Sequence, residues 1–325
     1  MDEKDLTFVF QGPEVFLNNE NLTLRAIKKT RQMFPNSPII FSTWDGVETD
    51  KYLEFQVKAV LSKDPGSVYR DKENNILMNL NRQMRSASRG LSESTTKYSV
   101  KLRSDLVPRN RNILKCLNSP EIFYPRNPIY SKTTNRVVVL DVTSIDPKLE
   151  EPLPFHPCDW FYAGLTSDLR LFFPLGRSCD EETISLYYEQ NQKPENNPFP
   201  SSLARYHPES WIFVEAVKDF MDFDFKHLSD ISGENIDISE NLIYNNLMIA
   251  SLRKTGWKSL KHKIKIMNYT RTYSTSSWKT IGKIKKSRMS LLEVRLLTAR
   301  TQKTINRSAN FLRRNLVKLR KYYRA

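Results

Sequence analysis

The sequence predicts an α/β fold, a mostly parallel sheet flanked by helices, with a basic helical extension at its C-terminal end. Three observations predict it. Short apolar runs bounded by turn residues alternate with stretches of helical period. The first two runs, residues 6–10 and Ile39-Ile40-Phe41, enclose one such stretch, which is the spacing of a parallel strand–helix–strand unit. Charge is split along the chain. The 51 Lys+Arg and 36 Asp+Glu give +15, yet residues 253–325 hold 22 bases and a single acid, Glu293. That leaves 29 bases and 35 acids in residues 1–252, so a mildly acidic body carries a strongly basic end.

Each element follows in order. The strand at 6–10 closes on the turn Gln11-Gly12-Pro13, and a helix over about 20–33 places Leu22, Ala26, Ile27 and Met33 near one face until Pro35 ends it. The second strand stops at Ser42-Thr43-Trp44-Asp45-Gly46. Asp64-Pro65-Gly66 is a turn, and residues 78–91 are a helix with Gly90 read as its C-terminal signal. A strand over 97–102 delivers Arg103-Ser104-Asp105. The β-branched run 136–141 is a further buried strand, and helices are expected over 210–220 and 239–252. The Ser/Thr-rich stretch 270–280 reads as a linker, which divides the chain into 1–269 and 270–325. Beyond it Ile305, Ala309, Leu312, Leu316, Leu319 and Tyr323 form one narrow apolar stripe on a basic helix over 288–323.

Composition excludes several classes. With 325 residues, 9 Gly and 17 Pro, the chain is long enough for a large core and is neither collagenous nor low-complexity. The start, MDEKDLTFVF, shows no signal-peptide pattern, and no run approaches the ~18 apolar residues of a membrane span. Cys116, Cys158 and Cys179 lack paired CxxC spacing, and His156, His207, His227 and His262 lack an HExxH pattern. Both suit a cytoplasmic protein without a zinc site. Dinucleotide, P-loop and nucleophile-elbow motifs are absent.

What remains is a set of polar clusters at predicted strand ends, where open α/β sheets bind ligands. Taken singly, Gly12-Pro13 and 64–66 are ordinary turns, and Asp105 also fits as the cap of a helix after Pro108. Taken together they rim one cleft. A carboxylate beside bases at a strand end suits a diphosphate held with Mg²⁺.

The blocks FVFQGP, FPNSPIIFSTWDG, DPG, NLNRQMRSASRGL and YSVKLRSD, followed by PFHPCDWFYAG, HPESWIFVEAV and ENLIYNNLMI, resemble the WavE lipopolysaccharide-synthesis family in a consistent order from Phe8 to Ile249. Members of that family are regarded as glycosyltransferases of bacterial surface polysaccharide with a GT-A-like (Rossmann-like) fold. The resemblance implies a nucleotide-sugar donor and a lipid-linked saccharide acceptor. It assigns the donor to Gln11, Gly12, Asp45, Asn81, Arg82 and Gln83. Related folds place Asp-x-Asp at a middle strand end to hold Mg²⁺ or Mn²⁺; here Arg103-Ser104-Asp105 stands there. Asp105 is then the one metal ligand, while Lys101 and Arg103 are candidates to neutralise the diphosphate instead.

Glycosyl transfer also needs a carboxylate base near the acceptor hydroxyl. Asp159 and Glu209 are the candidates, with Glu215 behind them. Glu209 equally suits a first-turn acid that complements a helix dipole. His156 and His207 flank these carboxylates, and either packs or touches ligand. Trp44, Trp160 and Trp211 are candidates for sugar stacking, with core packing as the simpler role. For 270–325 three readings stand: a solvated helix, a peripheral anchor on the anionic cytoplasmic face of the inner membrane, and nucleic-acid binding through Trp257, Tyr269, Tyr273 and Trp278. No nucleic-acid motif supports the last, so a membrane partner is expected and nucleic acid is not. A non-catalytic glycan-assembly protein is the alternative to an enzyme.

Overall fold

A computed structural model describes residues 1–71, 75–149, 152–181, 183–184, 205–228, 230–262 and 271–287. Within these, seven strands form one sheet: β1 (Leu6–Gln11), β2 (Ile39–Trp44), β3 (Val57–Ser62), β4 (Tyr98–Arg103), β5 (Val137–Leu140), β6 (Phe161–Leu165) and β7 (Leu247–Ala250). Their spatial order is β3-β2-β1-β4-β6-β5-β7. Every neighbouring pair is parallel except those of β6, which runs antiparallel to both β4 and β5. Among the helices that accompany it are α1 (Leu22–Met33), α2 (Leu80–Ser92), α3 (Thr166–Phe172), α4 (Pro208–Val217) and α5 (Gly233–Asn246). This is the expected α/β class, a mostly parallel sheet flanked by helices.

Apolar runs without alternation become central strands because both faces are covered. All six residues of β1 and all four of β5 are buried. Helix α1 begins where Asn21 accepts the amide of Leu24 at 2.9 Å, and it turns Leu22, Ala26 and Ile27 inward.

Three expectations are corrected. The helix expected over 239–252 starts earlier, at Gly233, capped by the Ser232 hydroxyl that accepts the Asn235 amide, and it stops at Asn246. There Asn245 and Asn246 turn their side-chain carbonyls onto the amides of Asn127 and of Lys132 and Thr133. The apolar run Leu247-Met248-Ile249-Ala250 then pairs as β7 against β5. Gly90 is no C-terminal signal, since α2 continues past it to Ser92. A Cβ at Gly90 would stand 2.4 Å from Val9 Cγ1 and 3.0 Å from Ser42 Cβ, so this glycine lets the helix lie directly on β1 and β2.

The third correction concerns the stretch read as a linker. Thr272 bridges Ile145, the Tyr273 amide donates to Ser144 O at 2.9 Å, and a helix, Thr275–Ser287, begins three residues later. Tyr273 and Trp278 are each 1% exposed, and the Trp278 ring lies 5.5 Å from that of Tyr244. Trp257 is buried as well, which removes three aromatics that nucleic-acid stacking would have used. One compact unit spans Met1–Trp278 and a second spans Lys279–Ala325. The apolar stripe at 305–323 lies outside the described residues. Among the described residues no helix is long and apolar enough to cross a membrane.

Replacing Gly90 by alanine tests the helix–sheet contact. Helix propensity alone favours alanine by about 1 kcal/mol. The clash with Val9 outweighs it, and urea unfolding should show a net loss of about 1–3 kcal/mol. An unfolding midpoint at or above wild type would show that α2 does not sit this close.

Candidate active site

The carboxyl ends of β1, β2 and β4 open on one edge of the sheet. Because β6 runs the other way, the residues that enter it arrive at that same edge. Trp160 O accepts the Arg103 amide at 3.1 Å, which brings Asp159-Trp160 beside Arg103. The first turn of α4 supplies Glu209, preceded by His207 at the N-cap.

Lys101 lies under this corner. It is fully buried, donates from Nζ to Asp159 O at 2.5 Å, and rests 4.8 Å from the Phe173 ring centroid and 5.6 Å from that of Tyr162. Burial pulls its pKa down to about 8, against the opposing pull of the Asp159 charge. Arg103, further out, donates from Nε to Asp105 Oδ1 at 2.8 Å and meets His262 Nε2 at 3.2 Å. Its guanidinium stacks 4.6 Å from the Trp160 ring, whose own centroid is 5.1 Å from His262. Trp160 thus contacts both Arg103 and His262, which contact each other, while Trp211 is buried in the core.

Glu209 and Asp159 share one electrostatic environment. Burial, then the Asp159 charge, pushes the Glu209 carboxyl up to about 8, with Lys101 and Arg103 opposing. His156 Nε2 is 3.7 Å from Glu209 Oε2, and its Nδ1 lies 3.1 Å from Thr143 O. A carbonyl only accepts, so Nδ1 carries the proton and Nε2 turns a lone pair toward Glu209. Burial lowers the His156 pKa to about 4, which keeps the ring neutral. Two acceptors that face each other are reconciled by a proton on Glu209 or by a cation. The second option has a geometry: ligand atoms of His156, His207 and Glu209 all lie within 4.8 Å of one another.

The remaining expected residues fall as follows. Gln11 is buried and accepts from Ser86 Oγ at 2.7 Å. Gly12 sits at φ +103°, the region that requires glycine, with its amide on Ser42 O. Asp45 is exposed beyond β2. Arg82 forms a two-pronged ion pair with Asp64 and also bonds Ser67 and Asn79, so it staples the 64–67 turn to α2. Asn81 clamps the backbone of Cys179 through both ends of its amide. Gln83 reaches Asp159 O at 3.4 Å. Asp105 is 1% exposed, with Oδ1 on Arg103 and Oδ2 on Ser259 Oγ at 2.8 Å. Glu215 is paired with Lys218.

Asp159, Glu209, Lys101, Arg103, Asp105 and Gln83 therefore form one connected group. Asn81 and Arg82 instead anchor loops beside it. Ser259, His262 and Ser86 had no local signal; the first two join the group from a distant part of the chain, and Ser86 lies one turn after Gln83 on α2. One signal is conformational: Phe155, directly before His156, has φ +57° although it is an aromatic residue. Phe223 and Phe225 pack on its ring at 4.9 and 4.7 Å, and its amide bonds Ser239 Oγ. Such strain costs about 1–3 kcal/mol and persists where packing over-determines it.

Comparison with known proteins adds the following. The family described as WavE lipopolysaccharide synthesis matches residues 6–310. Among solved structures, the chain is similar to a cytidylyltransferase from Leptospira borgpetersenii serovar Hardjo-bovis, at 10% identity over 72% of this chain and 96% of that one, TM-score 0.32. It is also similar to a CMP:2-keto-3-deoxy-manno-octonic acid synthetase complexed with CTP, at 10% identity over 60% and 80%, TM-score 0.30. A nucleoside-diphosphate-sugar pyrophosphorylase from Vibrio cholerae RC9 matches at 8% identity over 71% and 99%, TM-score 0.31. At these scores the likeness carries no inference about this chain's chemistry. No curated protein matches the sequence.

The protonation of Glu209 has a measurable sign. Folding binds a proton here between pH 4.5 and about 8, so its stabilisation is complete below 4.5 and lost as pH rises through about 8. His156 expels a proton on folding between about pH 4 and 6.5, which raises stability across that window. Between 6.5 and about 8 Glu209 dominates among the site's groups. Urea unfolding of the wild type should show stability falling there by on the order of 2 kcal/mol, and Glu209→Gln should flatten the slope. Equal slopes would place no proton on Glu209.

Proposed function

The chain belongs to the WavE lipopolysaccharide synthesis family and has a role in lipopolysaccharide synthesis, within which we propose that it is a glycosyltransferase. It moves a sugar from a nucleotide-sugar donor to a lipid-linked acceptor. One observation carries this reading: Asp159, whose backbone carbonyl accepts from buried Lys101, and Glu209, whose carboxyl is raised by burial and by the Asp159 charge, gather with Arg103 at the edge where the strands β1, β2 and β4 end.

Transfer needs a base for the acceptor hydroxyl and positive charge for the departing phosphate. Glu209, raised to about 8, keeps its proton at neutral pH and serves as a hydrogen-bond donor. Asp159, whose charge Glu209 feels, is assigned as the base. The acceptor O–H proton passes to the Asp159 carboxylate, and the acceptor oxygen bonds the anomeric carbon. The bond from that carbon to the phosphate oxygen breaks, and its electron pair leaves with the nucleotide. Arg103 faces this leaving group; Asp105 and His262 take Nε and Nη2, and Nη1 has no partner among the described residues. Gln11, Gly12, Asp45 and Gln83 are assigned to the donor, with Asn81 and Arg82 holding the loops around it.

A divalent cation at the Arg-Ser-Asp corner does not fit the residues present. Only one acid stands there, both its oxygens are bonded, and a guanidinium lies 2.8 Å away. No step is therefore routed through a metal at Asp105. The basic 270–325 segment is assigned to the anionic cytoplasmic face of the inner membrane, where each base contributes about 1 kcal/mol.

Two measurements test the reading. UDP, GDP or CMP, screened by thermal shift, should raise the melting temperature by mass action. With the donor so identified, Asp159→Asn should lower kcat roughly 10²–10⁴-fold with donor affinity unchanged. If the wild type neither binds nor turns over any sugar nucleotide, with and without Mg²⁺ or Mn²⁺, the transferase reading fails and a non-catalytic role in glycan assembly replaces it.

A further inference from the structure

Helix α1 buries Leu22, Ala26, Ile27 and Thr30 and turns Arg25, Lys28, Lys29 and Gln32 outward at helical spacing. Like charges three and four residues apart on one face repel, by a few tenths of a kcal/mol per pair in isolated helices. Beside this face runs a two-stranded ribbon, Leu106–Pro108 paired with Trp257–Ser259, which adds Lys258 and, just past its end, Arg109. These five cations line one cavity of about 430 Å³ whose apolar wall is Val107 and Pro108. No carboxylate lines it.

Arg25 is paired with Glu20 at 3.0 Å. Among the described residues no acid pairs with Lys28, Lys29, Arg109 or Lys258. This concentration of positive charge stands out because residues 1–252 carry more acids than bases overall. Uncompensated cations around a cavity of ligand size focus an attractive field on an anion, and the apolar wall suits the ester carbon attached to it. The ribbon also leads to the active site. It begins directly after Asp105, and Ser259, paired opposite Leu106 at that same end, donates to Asp105 Oδ2.

We propose that this cavity is a binding site for a phosphate ester, and that it receives the phosphate group of the lipid-linked acceptor. The second half of that statement rests on the glycosyltransferase reading; anion binding itself does not. Arg25, Lys28, Lys29, Arg109 and Lys258 neutralise the phosphate, and the ribbon ties the anchored molecule to the corner that holds Arg103 and Asp159.

The test uses the full chain without any sugar nucleotide. Binding of inorganic pyrophosphate is followed by calorimetry, and binding to phosphatidylglycerol-containing vesicles, against phosphatidylcholine alone, is followed by sedimentation. The variant Lys28→Glu/Lys29→Glu/Lys258→Glu is compared with Lys4→Glu/Lys115→Glu/Lys226→Glu, which changes the net charge equally at exposed sites elsewhere. Circular dichroism establishes that both fold. The pocket variant should lose about tenfold or more in affinity and the control far less. Loss confined to vesicles identifies a lipid-borne phosphate, and loss of pyrophosphate binding identifies a free or sugar phosphate; both support the site. Equal affinities in the two variants, for both probes, would overturn it. If the anion site stands while no sugar nucleotide is turned over, only the transferase reading falls.

Discussion

An ammonium group with no exposed surface must be compensated, or it opposes the folding of the strand that carries it. Lys101 is such a group, placed inside β4 between apolar neighbours. Its compensation comes from outside the strand: the Asp159 carbonyl, the faces of Phe173 and Tyr162, and the nearby carboxyl groups. Each partner lies on a different segment. The need to satisfy one buried charge therefore fixes where the β5–β6 connection, the end of α3 and the start of α4 come to rest. The antiparallel course of β6 follows the same logic, since only that direction brings Asp159 to the carboxyl end of β4.

Burial and the Asp159 charge raise the Glu209 carboxyl to about 8 against the pull of Lys101. Asp159 and Glu209 are both drawn to Lys101, yet they repel each other, and burial penalises a second negative charge. The outcome is one proton held by Glu209 near neutrality, facing the lone pair of a His156 kept neutral by burial. The left-handed Phe155 backbone matters here because it aims the His156–Asp159 turn; Phe223, Phe225 and Ser239 hold it in place.

Much of this was legible in the sequence where apolar runs were continuous. β1, β2 and β5 are such runs, and both carboxylates of the pair were visible as acids beside histidines. β3 was missed because it is an edge strand with Lys58 and Ser62 among its residues, and its half-buried pattern resembles a loop. β6 was missed because Phe-Tyr-Ala-Gly-Leu follows a polar turn without a β-branched residue. β7 was absorbed into a helix because Leu247–Ala250 continues the apolar spacing of α5, and only the two asparagines, through distant backbone amides, break it. The contacts to Ser259 and His262 were illegible for a simpler reason. They join residues more than 150 positions apart, and no local pattern encodes such a pairing.

The Arg-Ser-Asp corner shows why a motif is better read through its contacts than its letters. An acid at the third position suggests a metal ligand, but a metal needs lone pairs that are not already spent. Asp105 directs one oxygen to Arg103 and the other to Ser259, and it is buried. Its effect is to hold the Arg103 guanidinium over the Trp160 ring, within reach of His262 Nε2. A planar cation fixed in this way presents directed N–H groups, which suits a phosphate better than a flexible ammonium does. Arginine at the first position and a buried aspartate at the third are thus one device. The acid positions the base, and the base carries the positive charge of this corner.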